Sequence, residues 1–107
     1  MKELKDYYSD ILEACRGCAE VGDEDDPIST KVCYEEGDEV NVEIIFLASG
    51  RECEDGSLSN IRISVEEISG TILNDYGDEE DFSDAELNDL SAYIEKELPS
   101  LLEEDAR

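Results

Sequence analysis

The segment from residue 39 to residue 48, Glu-Val-Asn-Val-Glu-Ile-Ile-Phe-Leu-Ala, carries the clearest structural signal in this chain. Apolar residues recur there at every second position, which is the period of a β-strand with one buried face. The inward series is Val40, Val42, Ile44 and Phe46, and it alternates with Asn41, Glu43 and Ile45. A second alternating segment covers residues 28–35. The short turn Glu35-Glu36-Gly37-Asp38-Glu39 joins the two segments, so the pair is predicted to form a β-hairpin.

Further strands are predicted downstream of this hairpin. Residues 49–59 are polar and contain the turn signal Glu54-Asp55-Gly56, which indicates a loop. Residues 60–66 predict a third strand with Ile61, Ile63 and Val65 on one face. A fourth strand is predicted over 68–73, where Gly70 marks a bulge or a break.

The first predicted helix covers residues 2–20. Its apolar residues recur at spacings of four and three, which places them on one face. This face consists of Leu4, Tyr8, Ile11, Cys15 and Cys18, widened by Tyr7, Leu12 and Ala14. Gly22 is a plausible helix stop. The stretch Asp23-Glu24-Asp25-Asp26-Pro27 is then predicted to be an exposed acidic connection.

The second predicted helix begins at Ser83. Ser83 as N-cap and Glu86 three residues later form a capping box, with Phe82 and Leu87 placed as a hydrophobic staple. Its apolar stripe is Leu87, Leu90, Ile94, Leu98 and Leu101. Pro99 is expected to end or kink the helix at about Leu98, because proline lacks an N–H and clashes with the preceding turn. Residues 100–107 are then a short helical continuation or a frayed tail.

These elements follow the order α-β-β-β-(β)-α and predict a single α+β domain over residues 1–107. An antiparallel sheet of three or four strands is flanked by the N- and C-terminal helices, which cover one of its faces. The other face is expected to be open to solvent, with Lys31, Glu43 and Arg62 close together across the strands.

Charge is the clearest functional feature of the sequence. The chain has 32 Asp and Glu, eight Lys and Arg and no His, for a formal net charge of −24. A soluble domain needs a net charge of only about 2 to 8 in magnitude, and a larger excess destabilises the compact state. A hydrophobic fraction of 39%, grouped in periodic blocks, nevertheless favours a folded domain over disorder. The excess of acids therefore requires a functional reason.

Mimicry of a polyanion supplies such a reason. B-DNA carries one negative charge per about 1.7 Å of axis, and a helix that rises about 1.5 Å per residue can present carboxylates at a similar density. Carboxylates also accept bidentate hydrogen bonds from Arg, as phosphates do. The predicted partner-binding residues are Asp78, Glu79, Glu80, Asp81, Asp84, Glu86 and Asp89, with Asp23, Glu24, Asp25 and Asp26 as a second group.

Size, acidity and the mixed α/β pattern of the whole chain resemble the small phage-encoded DNA mimics, the anti-CRISPR and anti-restriction inhibitors. Those proteins share no motif, so the resemblance is compositional and assigns no residue. It implies an inhibitor in the cytoplasm of a host cell that competes with DNA or RNA for the basic groove of a defence complex. Nucleic acid itself and anionic membranes would repel this chain and are not expected as partners. A homodimer would lengthen the anionic surface.

Two other classes of protein remain open. An acidic chaperone or adaptor for a basic partner protein would need an exposed apolar patch, for which Tyr7, Tyr8, Ile45 and Leu47 are the candidates. A salt-adapted domain would be acidic throughout and would need salt to fold. The clustering of the acids argues mildly against salt adaptation.

Chemistry at a catalytic or metal centre has little support in the sequence. The chain lacks His, a phosphate-cradling glycine loop and a serine nucleophile motif, so no enzyme and no cofactor are predicted. Cys15 and Cys18, with Cys33 and Cys53, would suit zinc only in an atypical spacing. Packing is the favoured role for these cysteines, with zinc, redox chemistry or a disulfide as alternatives. No apolar run is long enough for a membrane span and the N-terminus lacks a secretory signal, so a cytoplasmic location is expected.

Overall fold

A computed structural model describes residues 4–37 and 39–105, which form an α+β fold. The elements in chain order are a 3-10 turn (Leu4–Tyr7), α1 (Tyr8–Cys18), β1 (Gly22–Asp23), β2 (Ile28–Glu36), β3 (Val40–Glu52), β4 (Leu58–Leu73), β5 (Glu79–Asp81) and α2 (Asp84–Asp105). The predicted fold class is confirmed in its outline of two helices flanking a sheet. The prediction of a purely antiparallel sheet with three or four strands was wrong, because the sheet is mixed and has five. Three parts of the predicted elements lie outside the described residues. They are residues 2–3 at the start of the predicted first helix, Asp38 in the predicted turn, and residues 106–107 at the end of the predicted tail.

Strand β3 is the centre of the sheet. It pairs antiparallel with β4 on one side and with β2 on the other, where Ile28 lies opposite Ala48 and Glu36 opposite Val40. The predicted hairpin of β2 and β3 is therefore confirmed. The short strand β1 continues the β2 side of the sheet and runs parallel to β3, with Gly22 opposite Ser49. This parallel pair makes the sheet mixed.

The start of the acidic connection lies in a strand, and Gly22 explains how the chain reaches that position. A Cβ atom on Gly22 would collide with the carbonyl oxygen of Asp26 and would lie 2.9 Å from the side chain of Ile28. Only glycine allows so close an approach of backbone to backbone. The chain then turns back on itself, with the Asp26 N–H donating to the Asp23 carbonyl at 3.0 Å. Gly22 therefore begins a tight paired turn, where the sequence indicated a helix stop.

Strand β4 replaces the two strands predicted over 60–66 and 68–73. The pairing with β3 shifts by one residue between Phe46–Val65 and Ile45–Glu67, so Glu66 is an extra residue in a β-bulge. A second shift occurs near Asn60, which has a positive φ of 52°. Because Glu66 is an extra residue, Ile68 points to the same face of the sheet as Val65, although the two are three positions apart. Strands β3 and β4 also stay paired as far as Glu52 and Leu58, so the predicted loop over 49–59 is shortened to a turn over residues 53–57.

Both helices pack on one face of the sheet. The buried residues of the first helical segment are Leu4, Tyr7, Ile11, Leu12 and Cys15, and those of β3 are Val40, Val42, Ile44, Phe46 and Ala48. They form one core with Leu90, Ile94, Leu98 and Leu102 of α2. Cys18, predicted to lie on the apolar face of the first helix, is the last residue of α1 and is exposed.

Helix α2 starts as the sequence predicts. The Ser83 hydroxyl accepts the Glu86 N–H at 3.2 Å, and the Glu86 carboxylate accepts the Ser83 N–H at 3.1 Å, which completes the capping box. The helix does not end at Leu98 but continues through Pro99 to Asp105. Proline inside a helix costs about 3 kcal/mol, whereas each fully buried Leu contributes about 1.5–3 kcal/mol. Leu98 and Leu102 are buried on either side of Pro99, so their packing offsets this cost.

The open face of the sheet carries only part of its predicted charge cluster. Lys31 Nζ lies 2.6 Å from Glu43 Oε1 across β2 and β3. Arg62 lies opposite Ser49, six positions along β3 from Glu43, which corresponds to about 20 Å. The expected proximity of Arg62 to this pair was therefore wrong.

Among residues 4–37 and 39–105, no helix has both the length and the apolar character needed to cross a membrane.

Candidate functional site

The candidate site is the carboxylate surface, and its charges face solvent. Thr30 is the only polar or charged side chain that is buried among the described residues, so every described carboxylate is at least partly exposed. The salt bridges within residues 4–37 and 39–105 join Arg16 to Glu13 and Asp105, and Lys31 to Glu43. Most of the acidic side chains therefore present charge outward and are not neutralised by a neighbouring cation.

Two turns and the start of α2 bring the largest group of acids together. The Leu73 N–H donates to the Glu39 carbonyl at 2.8 Å, which ties the β4–β5 hairpin to the β2–β3 turn. Glu35, Glu39 and Glu79 line one cleft of about 260 Å³ between these segments. We call this region the acidic end, and it comprises Glu35, Glu36, Glu39, Asp75, Asp78, Glu79, Glu80, Asp81, Asp84, Glu86 and Asp89.

The main predicted residues lie in the β4–β5 hairpin and at the start of α2. Asp78 lies in the β4–β5 turn, Glu79, Glu80 and Asp81 form β5, and Asp84, Glu86 and Asp89 occupy the first turns of α2. All seven are exposed. Two of them also hold local structure, since Glu86 completes the capping box and Glu80 Oε1 accepts from Asn74 Nδ2 at 3.0 Å.

The second predicted group does not join this surface. The stretch from Asp23 to Asp26 follows β1, which pairs with Ser49 and Gly50, whereas Val40 at the other end of β3 lies beside the acidic end. Nine residue steps along β3 separate the two places, which is about 30 Å. The carboxylates of Asp23–Asp26 therefore form a separate exposed patch at the opposite end of the sheet.

Sequence reasoning missed Glu35, Glu36 and Glu39 as members of the main site. The sequence contained a signal for their position, because Glu35, Glu36 and Glu39 belong to the turn at the far end of the predicted strand over 28–35, whereas Asp23–Asp26 precede that strand. The hairpin carries the later acids to the end where Glu79 lies.

Helix geometry favours negative charge at the acidic end. The rings of Tyr8 and Tyr93 lie 4.8 Å apart, and Arg16 Nε donates to Asp105 Oδ2 at 2.8 Å, so α1 and α2 run in the same direction. Both N-termini therefore point toward the acidic end. The positive ends of the two helix dipoles stabilise nearby carboxylates there.

Tyrosine hydroxyls beneath the acidic end connect it to the core. The hydroxyl of buried Tyr7 donates to Glu39 at 3.3 Å, and that of Tyr34 donates to Glu36 at 3.1 Å, with an Asp10 carboxylate oxygen 3.5 Å from the same hydroxyl. Burial, followed by these hydrogen bonds and negative charges, raises the pKa of Tyr34 to about 12. The neutral phenol groups of Tyr7 and Tyr34 thus hold surface carboxylates in position by hydrogen bonds.

The cysteines are dispersed through the molecule. All four are free thiols, with Cys15 buried, Cys53 half-buried and Cys18 and Cys33 exposed. Burial raises the pKa of Cys15 to about 12, which keeps this thiol protonated. Within residues 4–37 and 39–105, no three Cys, Asp or Glu side chains converge in a way that would hold a metal ion.

The apolar patch that a chaperone or adaptor would need is not assembled. Tyr7 is buried, and Tyr8 is half-buried against Tyr93 on the helical side of the sheet. Ile45 and Leu47 are half-buried on the opposite, open face. The four candidate residues therefore do not share a surface.

The molecule is an elongated body. Its Cα atoms extend over 55 × 21 × 18 Å with a radius of gyration of 14.9 Å, whereas a compact domain of this length has about 13 Å. The chain's net charge of −24 over a length of 55 Å gives one net negative charge per about 2.3 Å. B-DNA carries one per about 1.7 Å of axis, so the two densities are similar.

No family model, curated protein or solved structure matches this chain.

Proposed function

We propose that this protein is a nucleic-acid-mimicking inhibitor that occupies the basic DNA- or RNA-binding groove of a bacterial defence complex, of the anti-CRISPR or anti-restriction type. The observation that carries the proposal is a charge density close to that of B-DNA on a narrow body 55 Å long. This length corresponds to about 16 base pairs of duplex. A groove built to hold that polyanion would meet a surface of similar length and charge.

The proposed mechanism is occlusion. Lys and Arg side chains of the target bind exposed carboxylates of the acidic end in place of phosphates, and the true substrate is excluded. The N-termini of both helices point toward this surface, where their positive dipole ends complement its negative charge. Because the surface charge is large, association is fast and weakens as salt concentration rises.

The experiment that tests this function is capture of the target with a nucleic-acid competitor. Immobilised protein is incubated with bacterial lysate at moderate salt, with and without duplex DNA or RNA, and the bound proteins are identified by mass spectrometry. We expect nucleic-acid-binding proteins that the competitor displaces. Recovery of only a partner that nucleic acid leaves in place would contradict mimicry and favour an adaptor.

A pair of charge-matched variants then locates the binding surface. The triple change Glu79→Lys, Glu80→Lys and Asp81→Lys alters the acidic end, and Asp23→Lys, Glu24→Lys and Asp25→Lys alters the opposite end by the same charge. All six residues are exposed, so circular dichroism is expected to show both variants folded. We expect at least a ten-fold loss of target affinity in the first variant and a smaller loss in the second. Parental affinity in both variants would exclude groove occlusion.

A further inference from the structure

The β4–β5 hairpin ends in a turn, residues 74–78, that presents an aromatic ring to solvent. Tyr76 is 90% exposed, whereas Tyr7, Tyr8, Tyr34 and Tyr93 are buried or half-buried. An aromatic ring in solvent contributes nothing to the core of its own domain. Exposed tyrosines of this kind often act as anchors in protein interfaces, because they bring a large contact area at a low entropic cost.

The turn is held in place by its own hydrogen bonds. Asn74 Oδ1 accepts from the N–H groups of Tyr76 at 2.9 Å and Asp78 at 3.0 Å, and Asn74 Nδ2 donates to Glu80 Oε1 at 3.0 Å. Two backbone bonds close the turn, and Gly77 supplies the positive φ of 81° that it requires. The backbone that carries Tyr76 is therefore ordered before any partner binds.

Acidic residues flank Tyr76 in the sequence, and no cationic residue lies nearby in the sequence. Asp75 and Asp78 are exposed on either side of Tyr76, and the segment from Ile63 to Glu95 contains no Lys or Arg. A guanidinium group is complementary to this combination, because it stacks flat on an aromatic ring and donates paired hydrogen bonds to carboxylates. A Lys ammonium has the same charge but lacks the planar fork.

We infer that the turn at residues 74–78 binds an arginine side chain in the basic groove of the partner, with the guanidinium stacked on the Tyr76 ring and hydrogen-bonded to Asp75 or Asp78. This inference rests on the proposed function, and it names the group of the target that the tip of the acidic end recognises. It also makes the protein selective for Arg-rich grooves over Lys-rich grooves of equal charge.

The test uses peptides of nine arginines and of nine lysines as probes for the wild-type protein, Tyr76→Ala and Tyr76→Phe. Dissociation constants are measured by calorimetry, and the Tyr76 ring resonances are followed by NMR. We expect the wild type to prefer the arginine peptide by about two- to five-fold and the Tyr76 ring signals to shift. Tyr76→Phe retains this preference, whereas Tyr76→Ala has a smaller preference for the arginine peptide but binds both peptides with the same strong salt dependence.

An unchanged preference in Tyr76→Ala would overturn the inference, as would the absence of any shift at the Tyr76 ring. Asp75→Asn, compared with Asp25→Asn at the opposite end, tests the carboxylate component with a matched loss of charge.

The failure of the arginine site can be distinguished from the failure of the proposed function. If nucleic acid displaces the captured target but Tyr76→Ala behaves as the parent, only the arginine site fails. If Tyr76 selects arginine but nucleic acid displaces nothing, only mimicry fails.

Discussion

The backbone N–H of Val65 donates a hydrogen bond to Oε2 of Glu95, across 3.1 Å from β4 to α2. A second bond of this kind joins the Ile61 N–H to Glu103 Oε1 at 3.4 Å. The two donors are four residues apart on the strand, and the two acceptors are eight residues apart on the helix. Both separations correspond to about 12–13 Å, so the acceptors have the same spacing as the donors. Helix carboxylates thus cover the part of the β4 edge that β5, paired only with Thr71–Leu73, leaves open.

The first prediction concerns this edge. Glu95→Ala removes the acceptor of the Val65 N–H and is expected to lower the free energy of unfolding by about 1 kcal/mol. Glu104→Ala removes the same charge from an exposed position on the same helix and is the matched control, while Glu95→Gln retains an acceptor. Urea unfolding followed by circular dichroism measures all three. Equal stability of the two alanine variants would show that the bond does not stabilise the fold.

The second prediction compares two glycines. A Cβ on Gly70 would lie 2.7 Å from the Asn41 carbonyl oxygen and 3.0 Å from the Phe82 ring, so Gly70→Ala is expected to cost about 1–3 kcal/mol. Gly17 in α1 has open space around it, and Gly17→Ala is expected to stabilise the protein by about 0.5–1 kcal/mol. Shifts of the urea midpoint in opposite directions are the expected result. A neutral Gly70→Ala would mean that β4 and Phe82 separate easily.

The third prediction concerns alkaline pH. Tyr34 has a pKa raised to about 12 in the folded protein, against about 10 in the unfolded chain. Its contribution to stability is complete below about pH 10 and is lost between about pH 10 and 12, because the unfolded chain releases its proton first. Buried Cys15, with its pKa raised to about 12, acts in the same direction.

Urea unfolding measured from pH 8 to pH 11.5 checks this dependence. Tyr34→Phe removes one titrating group and is expected to make the fall in stability shallower than in the wild type. Identical slopes in the wild type and Tyr34→Phe would exclude a contribution from Tyr34.

The fourth prediction concerns salt. Added NaCl screens repulsion among the exposed carboxylates, because the Debye length falls to about 10 Å at 0.1 M. The Tm is therefore expected to rise with salt, by about 4–8 °C for each kcal/mol gained, from a protein that is already folded at low salt. Binding to the target is expected to weaken over the same range, so the two dependences have opposite signs. Folding only above molar salt would favour a salt-adapted domain.

Local patterns predicted the elements whose signals are contained in a few neighbouring residues. The capping box of Ser83 and Glu86 and the alternation over 40–48 were confirmed, since both depend on contacts within one element or one hairpin. The short strands β1 and β5 carried no such signal. They consist of two and three residues, and they are strands only because β3 and β4 offer them an edge.

The same distinction explains β4 and the end of α2. The sequence indicated separate strands over 60–66 and 68–73, but an extra residue in a bulge at Glu66 preserves one continuous strand. Pro99 indicated an end or a kink of the helix at about Leu98, but α2 continues to Asp105 and buries Leu102 beyond the proline. In both cases packing against neighbouring elements outweighed a local signal.

The charge of −24, the exposure of the acidic runs and the elements that enclose the core follow from composition and period, which are local properties. Which acids lie close together depends on the tertiary structure. The hairpin places Asp23–Asp26 nine residue steps along β3 from the end where Glu35 and Glu39 lie beside Glu79. Charge adds up through space, and residues far apart in the chain become neighbours only when the sheet pairs them.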